Sequence, residues 1–75
     1  MARQIFYDRI GYRILVLRKR RKLTRDALAK AANISWNELL WIEKEDFSIS
    51  EEAIDRIAAV LEVDGEWLRY YKRSK

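Results

Sequence analysis

Leu23-Thr24-Arg25-Asp26-Ala27-Leu28-Ala29-Lys30-Ala31-Ala32-Asn33-Ile34-Ser35-Trp36-Asn37-Glu38-Leu39-Leu40-Trp41-Ile42-Glu43 reads as two short helices joined by a tight turn. Thr24 and Ser35 are residue types that begin helices, because a side-chain oxygen can accept a backbone N–H that the helix leaves unpaired. Apolar residues recur at helical spacing behind each of them. Ala29 is small where the two helices must cross closely. Asn33 falls in the turn, where a positive φ is expected and where Asn is the best substitute for glycine.

The same signals extend outward in both directions. With no proline, two glycines and no alternation of β-branched residues, the chain reads as all-α, with five helices near 8–21, 24–32, 35–44, 50–62 and 64–72. Asp8, Thr24, Ser35, Ser50 and Asp64 are the cap candidates. At the last four, the residue before the cap and the residue four beyond it are both apolar: Leu23 with Leu28, Ile34 with Leu39, Ile49 with Ile54, and Val63 with Leu68. That is a hydrophobic staple at each start, and Ser35 with Glu38 adds a capping box. The expected core is Ile14, Leu17, Leu28, Ala29, Leu39, Ile42, Ile54, Ile57, Ala58 and Leu61, closed by Trp67 of the fifth helix. Residues 1–7 and 73–75 are expected to be loosely ordered.

A chain of 75 residues makes one small domain. It has no Cys and no His, so thiolate metal sites, disulfides and the commonest general base are excluded, and neither an enzyme site nor a cofactor is expected. No apolar run approaches the roughly 18 residues of a membrane helix, and Met1 to Asp8 lacks a signal-peptide core. A cytoplasmic location without membrane contact is expected.

The net charge of +4 hides a block pattern. Residues 1–25 hold nine Lys/Arg and one Asp, residues 26–66 three against eleven acids, and residues 67–75 four against none. The run Arg18-Lys19-Arg20-Arg21-Lys22 suits phosphates. It equally suits the negative end of a helix, where cations are favoured.

From Ile10-Gly11-Tyr12-Arg13 through Trp67-Leu68 the chain resembles the Cro/repressor, XRE-type helix-turn-helix domain, which has a lambda repressor-like fold. The matching pieces are Leu17-Arg18, Leu23-Thr24, Leu28-Ala29, Ile34-Ser35, Ile42-Glu43, Ser50, Ile57-Ala58, Leu61 through Val63, and Trp67-Leu68. The resemblance implies a dimer on double-stranded DNA, with the third helix in the major groove. It implies DNA contacts from Arg25, Ser35, Trp36, Asn37, Leu40, Trp41 and Lys44, and a structural ion pair between Arg18 and Glu43. For Arg25 an exposed charge with no role is the plain alternative.

Two features depart from that pattern. Trp36, Leu40 and Trp41 stand where the family places polar base-reading side chains, leaving Asn37 and Lys44 as the strong polar readers; Asn37 can pair with adenine N6 and N7. The following loop is Glu45-Asp46-Phe47, then Glu51-Glu52, so residues 35–55 hold one Lys against seven acids. Carboxylates there repel phosphates. The helix dipole accounts for Asp26, Glu51 and Glu52 but not for Glu45 and Asp46. The first reading is therefore a dimeric, sequence-specific DNA-binding regulator. The second, from another class, is a module that binds protein or itself through Trp36, Leu40 and Trp41.

Overall fold

The computed structural model describes residues 4–5, 9–44 and 49–70. Among these residues five helices run in chain order: α1 (Ile10–Arg20), α2 (Arg25–Ala32), α3 (Trp36–Glu43), α4 (Glu51–Leu61) and α5 (Gly65–Tyr70). Two short strands, β1 (Gln4–Ile5) and β2 (Ile49–Ser50), pair antiparallel, with Gln4 opposite Ser50 and Ile5 opposite Ile49. The helical pattern gives no sign of this pairing, and it ties Gln4 and Ile5 to the entrance of α4, within the segment expected to be loose.

Four helix starts are set by the expected side chains. Thr24 Oγ1 accepts from the Ala27 N–H at 3.0 Å, Ser35 Oγ from Glu38 at 3.0 Å, Ser50 Oγ from Ala53 at 3.1 Å and Asp64 Oδ1 from Glu66 at 3.1 Å. The first helix differs. It begins at Ile10 with Arg9 at the cap position, in the left-handed region at φ 57° and without a side-chain cap bond. Asp8, the expected cap, lies outside the described residues, as do residues 71–75.

Three helices end in one manner. Lys22, Asn33 and Glu62 adopt φ of 59°, 59° and 60°, and each turn closes with a pair of bonds. Lys22 N donates to Lys19 O and Leu23 N to Arg18 O; Asn33 N to Lys30 O and Ile34 N to Ala29 O; Glu62 N to Ala59 O and Val63 N to Ala58 O. This is the Schellman motif. Its apolar residue, Leu23, Ile34 or Val63, packs against the core and also precedes the next helix's cap. One side chain thus closes one helix and opens another.

The core is formed by Ile10, Ile14, Leu28, Ala29, Ala32, Leu39, Ile42, Ile49, Ala53, Ile54, Ile57, Ala58, Leu61 and Leu68. α2 packs on α3 and α4, and α1 on α3 and α5. Two core expectations are corrected. Leu17 is only half-buried, and Trp67 is 36% exposed while Leu68 is fully buried. Neighbouring residues on a helix point about 100° apart, so the staple that turns Leu68 inward turns Trp67 out.

α5 is anchored by two arginines. Arg13 donates from Nε to Leu68 O at 2.8 Å and from Nη2 to Arg69 O at 2.7 Å, so a cation meets the end of the helix. Arg69 pairs with Glu51 at 2.7 Å and Asp55 at 2.9 Å across the α4–α5 junction. Burial opposes its charge, but the hydrogen bonds to Asp55 and Glu51 prevail and hold its pKa above the ordinary arginine value.

Candidate nucleic-acid interface

α3 owes its orientation to three inward residues, Leu39, Ile42 and Glu43, which are all buried. Asn37, Trp41 and Lys44 lie on the opposite side and are exposed. At about 100° per residue, Trp36 and Leu40 lie on the flank between these two faces. Leu40 is half-buried rather than projecting freely, so it is less open to DNA than the resemblance implies. Trp36 and Trp41 remain 44% and 47% exposed. Ser35 is exposed, with its hydroxyl engaged in capping α3.

Beneath this surface lies a network of two cations and one anion. Arg18 donates from Nε to Glu43 Oε2 at 2.7 Å and from Nη2 to Oε1 at 3.0 Å, a bidentate contact with both side chains buried. Its Nη1 donates to Leu23 O at 3.0 Å, so the same guanidinium holds the connection into α2. Arg25 completes the network: Nε donates to Glu43 Oε1 at 3.1 Å, and its guanidinium carbon lies 5.5 Å from the centre of the Trp36 ring. With 28% of its side chain exposed, Arg25 is neither a free charge nor a buried one. Its two terminal nitrogens have no hydrogen bond among the described residues. A guanidinium held at Nε and stacked on an indole presents those nitrogens at low entropic cost.

The acids near α4 divide in the same way. Glu51 is neutralised by Arg69, whereas Glu52 is exposed and 3.9 Å from Arg56. Glu45, Asp46 and Phe47 lie outside the described residues. The basic run also splits, since Arg18 is consumed by Glu43 and Arg21 pairs with Glu62 at 3.2 Å on the surface. That leaves Lys19, Arg20 and Lys22 as its exposed cations without an ion pair among the described residues.

Sequence reasoning missed the Arg25–Glu43 contact and the Arg69 clamp. The first had no local signal, since it depends on how closely the start of α2 approaches the end of α3 in the fold. The second had none, because Arg69 is 14 residues from Asp55 and 18 from Glu51. Among the described residues no group of three or more acids is placed to hold a metal, and no helix is long and apolar enough to cross a membrane.

Two crossing helices with a left-handed turn between them, the second presenting a solvent face, define a helix-turn-helix. The family model of the Cro/C1-type helix-turn-helix DNA-binding domain matches residues 13–66, and the chain belongs to that family. The N-terminal DNA-binding domain of SinR from Bacillus subtilis is similar at 29% identity and TM-score 0.81, over 87% of this chain and 96% of that one. The biofilm master regulator SinR in complex with DNA matches at 30% identity and TM-score 0.75, over 79% of this chain and 95% of that one. A chain of the SinR–SinI protein complex matches at 30% identity and TM-score 0.76; there 79% of this chain spans only 58% of the other. None of the curated proteins matches the chain.

Proposed function

We propose that this chain is a cytoplasmic, sequence-specific transcriptional regulator, acting as a homodimeric repressor that sets α3 in the major groove of duplex DNA. The observation that carries the reading is Arg25. Its guanidinium is fixed between Glu43 and Trp36 with its terminal nitrogens unengaged among the described residues, a preorganised phosphate ligand at the edge of the recognition helix. Asn37 reads adenine, Trp41 and Leu40 supply apolar contact to thymine methyls, and Lys44 neutralises a phosphate. Ser35 acts by fixing the start of α3, and Trp36 by supporting Arg25. Each protomer of the dimer takes one half-site, about one helical turn from the other. The relative solved in complex with DNA supports this reading.

The test is fluorescence anisotropy of random-sequence and selected duplexes at two salt concentrations. The expected result is affinity that falls steeply with salt, each phosphate contact adding about 0.9 to the slope, and a selected site of two related halves. Salt-insensitive or undetectable binding to every duplex overturns it. A second reading is favoured by one observation, the exposure of both Trp36 and Trp41: a protein docks on α3 through them and Leu40. A relative is likewise found in a protein complex.

A further inference from the structure

A groove of about 530 Å³ runs along α1 and α5, away from the surface considered so far. Its walls are Arg9, Tyr12, Val16, Leu17 and Arg20 on the α1 side and Trp67 on the α5 side. Arg13 also lines it, with its guanidinium occupied by the carbonyls at the end of α5. At about 100° per residue the α1 positions form one stripe centred roughly 170° from Arg18. Since Arg18 is the residue of α1 that grips Glu43 of α3, the groove opens on the opposite side of α1 from α3.

The chemistry along the stripe is ordered. Arg9 and Arg20 are exposed at its two ends, and the Arg9 guanidinium stacks 4.9 Å from the centre of the Tyr12 ring. Between them lie Tyr12, Val16, Leu17 and Trp67, half-buried or exposed apolar groups with no carboxylate among the described lining residues. From Arg9 to Arg20 the rise is about 16 Å, three helical turns at 1.5 Å per residue.

We propose that this groove docks an acidic amphipathic helix of a partner protein while α3 stays free. The cations at both ends select carboxylates, and the apolar middle selects an aliphatic or aromatic stripe, which is the pattern of a helix laid in a groove. A compact anion does not need three turns of surface. Duplex DNA has no apolar stripe to cover Val16, Leu17 and Trp67. The assignment does not rest on the DNA reading of α3.

The probe is a synthetic helix of about 18 residues, with Leu on one face flanked by Glu, titrated calorimetrically into the full chain while backbone amide shifts are followed by NMR. Micromolar binding is expected, with shifts confined to α1 and α5. Arg9→Glu with Arg20→Glu should weaken it about tenfold or more and flatten its salt dependence, and Trp67→Ala should weaken it independently. Both arginines are exposed, so circular dichroism should show the double variant folded; Arg9→Gln with Arg20→Gln is the milder control. The proposal fails if a Lys-for-Glu version or an equally charged polyglutamate binds as tightly, if the shifts map to α3, or if random duplex DNA displaces the peptide. It fails equally if sedimentation without peptide shows a wild-type dimer that the same double substitution dissociates, since the occupant is then a second copy.

Discussion

Arg25 is joined to Glu43 through Nε at 3.1 Å, on the same carboxylate oxygen to which Arg18 donates at 3.0 Å. One anion therefore serves three helices, and its partners differ in burial: Arg18 is 8% exposed and Arg25 28%. Removing one member of a buried pair costs about 3–5 kcal/mol, because the other charge is left only partly compensated away from solvent. Glu43→Ala and Arg18→Ala are each expected in that range by urea denaturation, with a double variant less damaging than their sum. Arg25→Ala should cost about 1 kcal/mol or less and lower duplex affinity at unchanged fold. Equal melting of all three variants and the wild type would remove the network from the account.

The left-handed turn residues give a test of opposite signs. Asn33→Val should destabilise by about 1–2 kcal/mol, since a β-branched side chain clashes at φ 59°. Glu62→Gly and Lys22→Gly, at the same backbone conformation, should each stabilise by roughly 0.5–1 kcal/mol, with the exposed Arg21–Glu62 pair contributing little. Thermal melts that rank the glycine variants below wild type contradict this.

At α5 the expected contrast is between neighbours. Leu68 is fully buried and Trp67 is 36% exposed. Leu68→Ala should cost about 2–5 kcal/mol by leaving a cavity, and Trp67→Ala distinctly less. Chemical denaturation decides the order.

The substitutions Trp36→Ala, Trp41→Ala and Lys44→Ala separate the two readings of α3. If α3 enters DNA, both Trp changes weaken specific binding at unchanged oligomeric state, and Lys44→Ala lowers the salt slope by about one unit. If the face binds protein, the Trp changes abolish a complex or a self-associated state and leave the salt slope intact. Anisotropy and sedimentation on the same samples distinguish these outcomes.

The repeated pairing of a cap with a staple made the fold legible in the sequence. Thr24 with Leu28 and Ser35 with Leu39 each encode a helix start within a few residues, and Asn33 marks the turn between them. The β1–β2 pairing escaped because two-residue strands carry no periodicity. At the site, the outward side of α3 followed from Leu39 and Ile42 facing inward. The contact between Arg25 and Glu43 did not, since it depends on how closely α2 approaches the end of α3. Trp67 was misplaced because bulk and apolarity suggest burial, whereas the staple geometry favours its smaller neighbour.

The three connections Lys22-Leu23-Thr24, Asn33-Ile34-Ser35 and Glu62-Val63-Asp64 share one plan, with the middle residue belonging to the helices on both sides. Fraying at either border must therefore pull a core side chain out of two helices at once. Amide hydrogen exchange across α1, α2 and α3 should accordingly report a single global opening rather than a series of smaller ones. An inserted residue at any of these joints would rotate everything beyond it by about 100° and break a stop and a start together. The domain is thus intolerant of length change at points that look, by exposure alone, like ordinary surface loops.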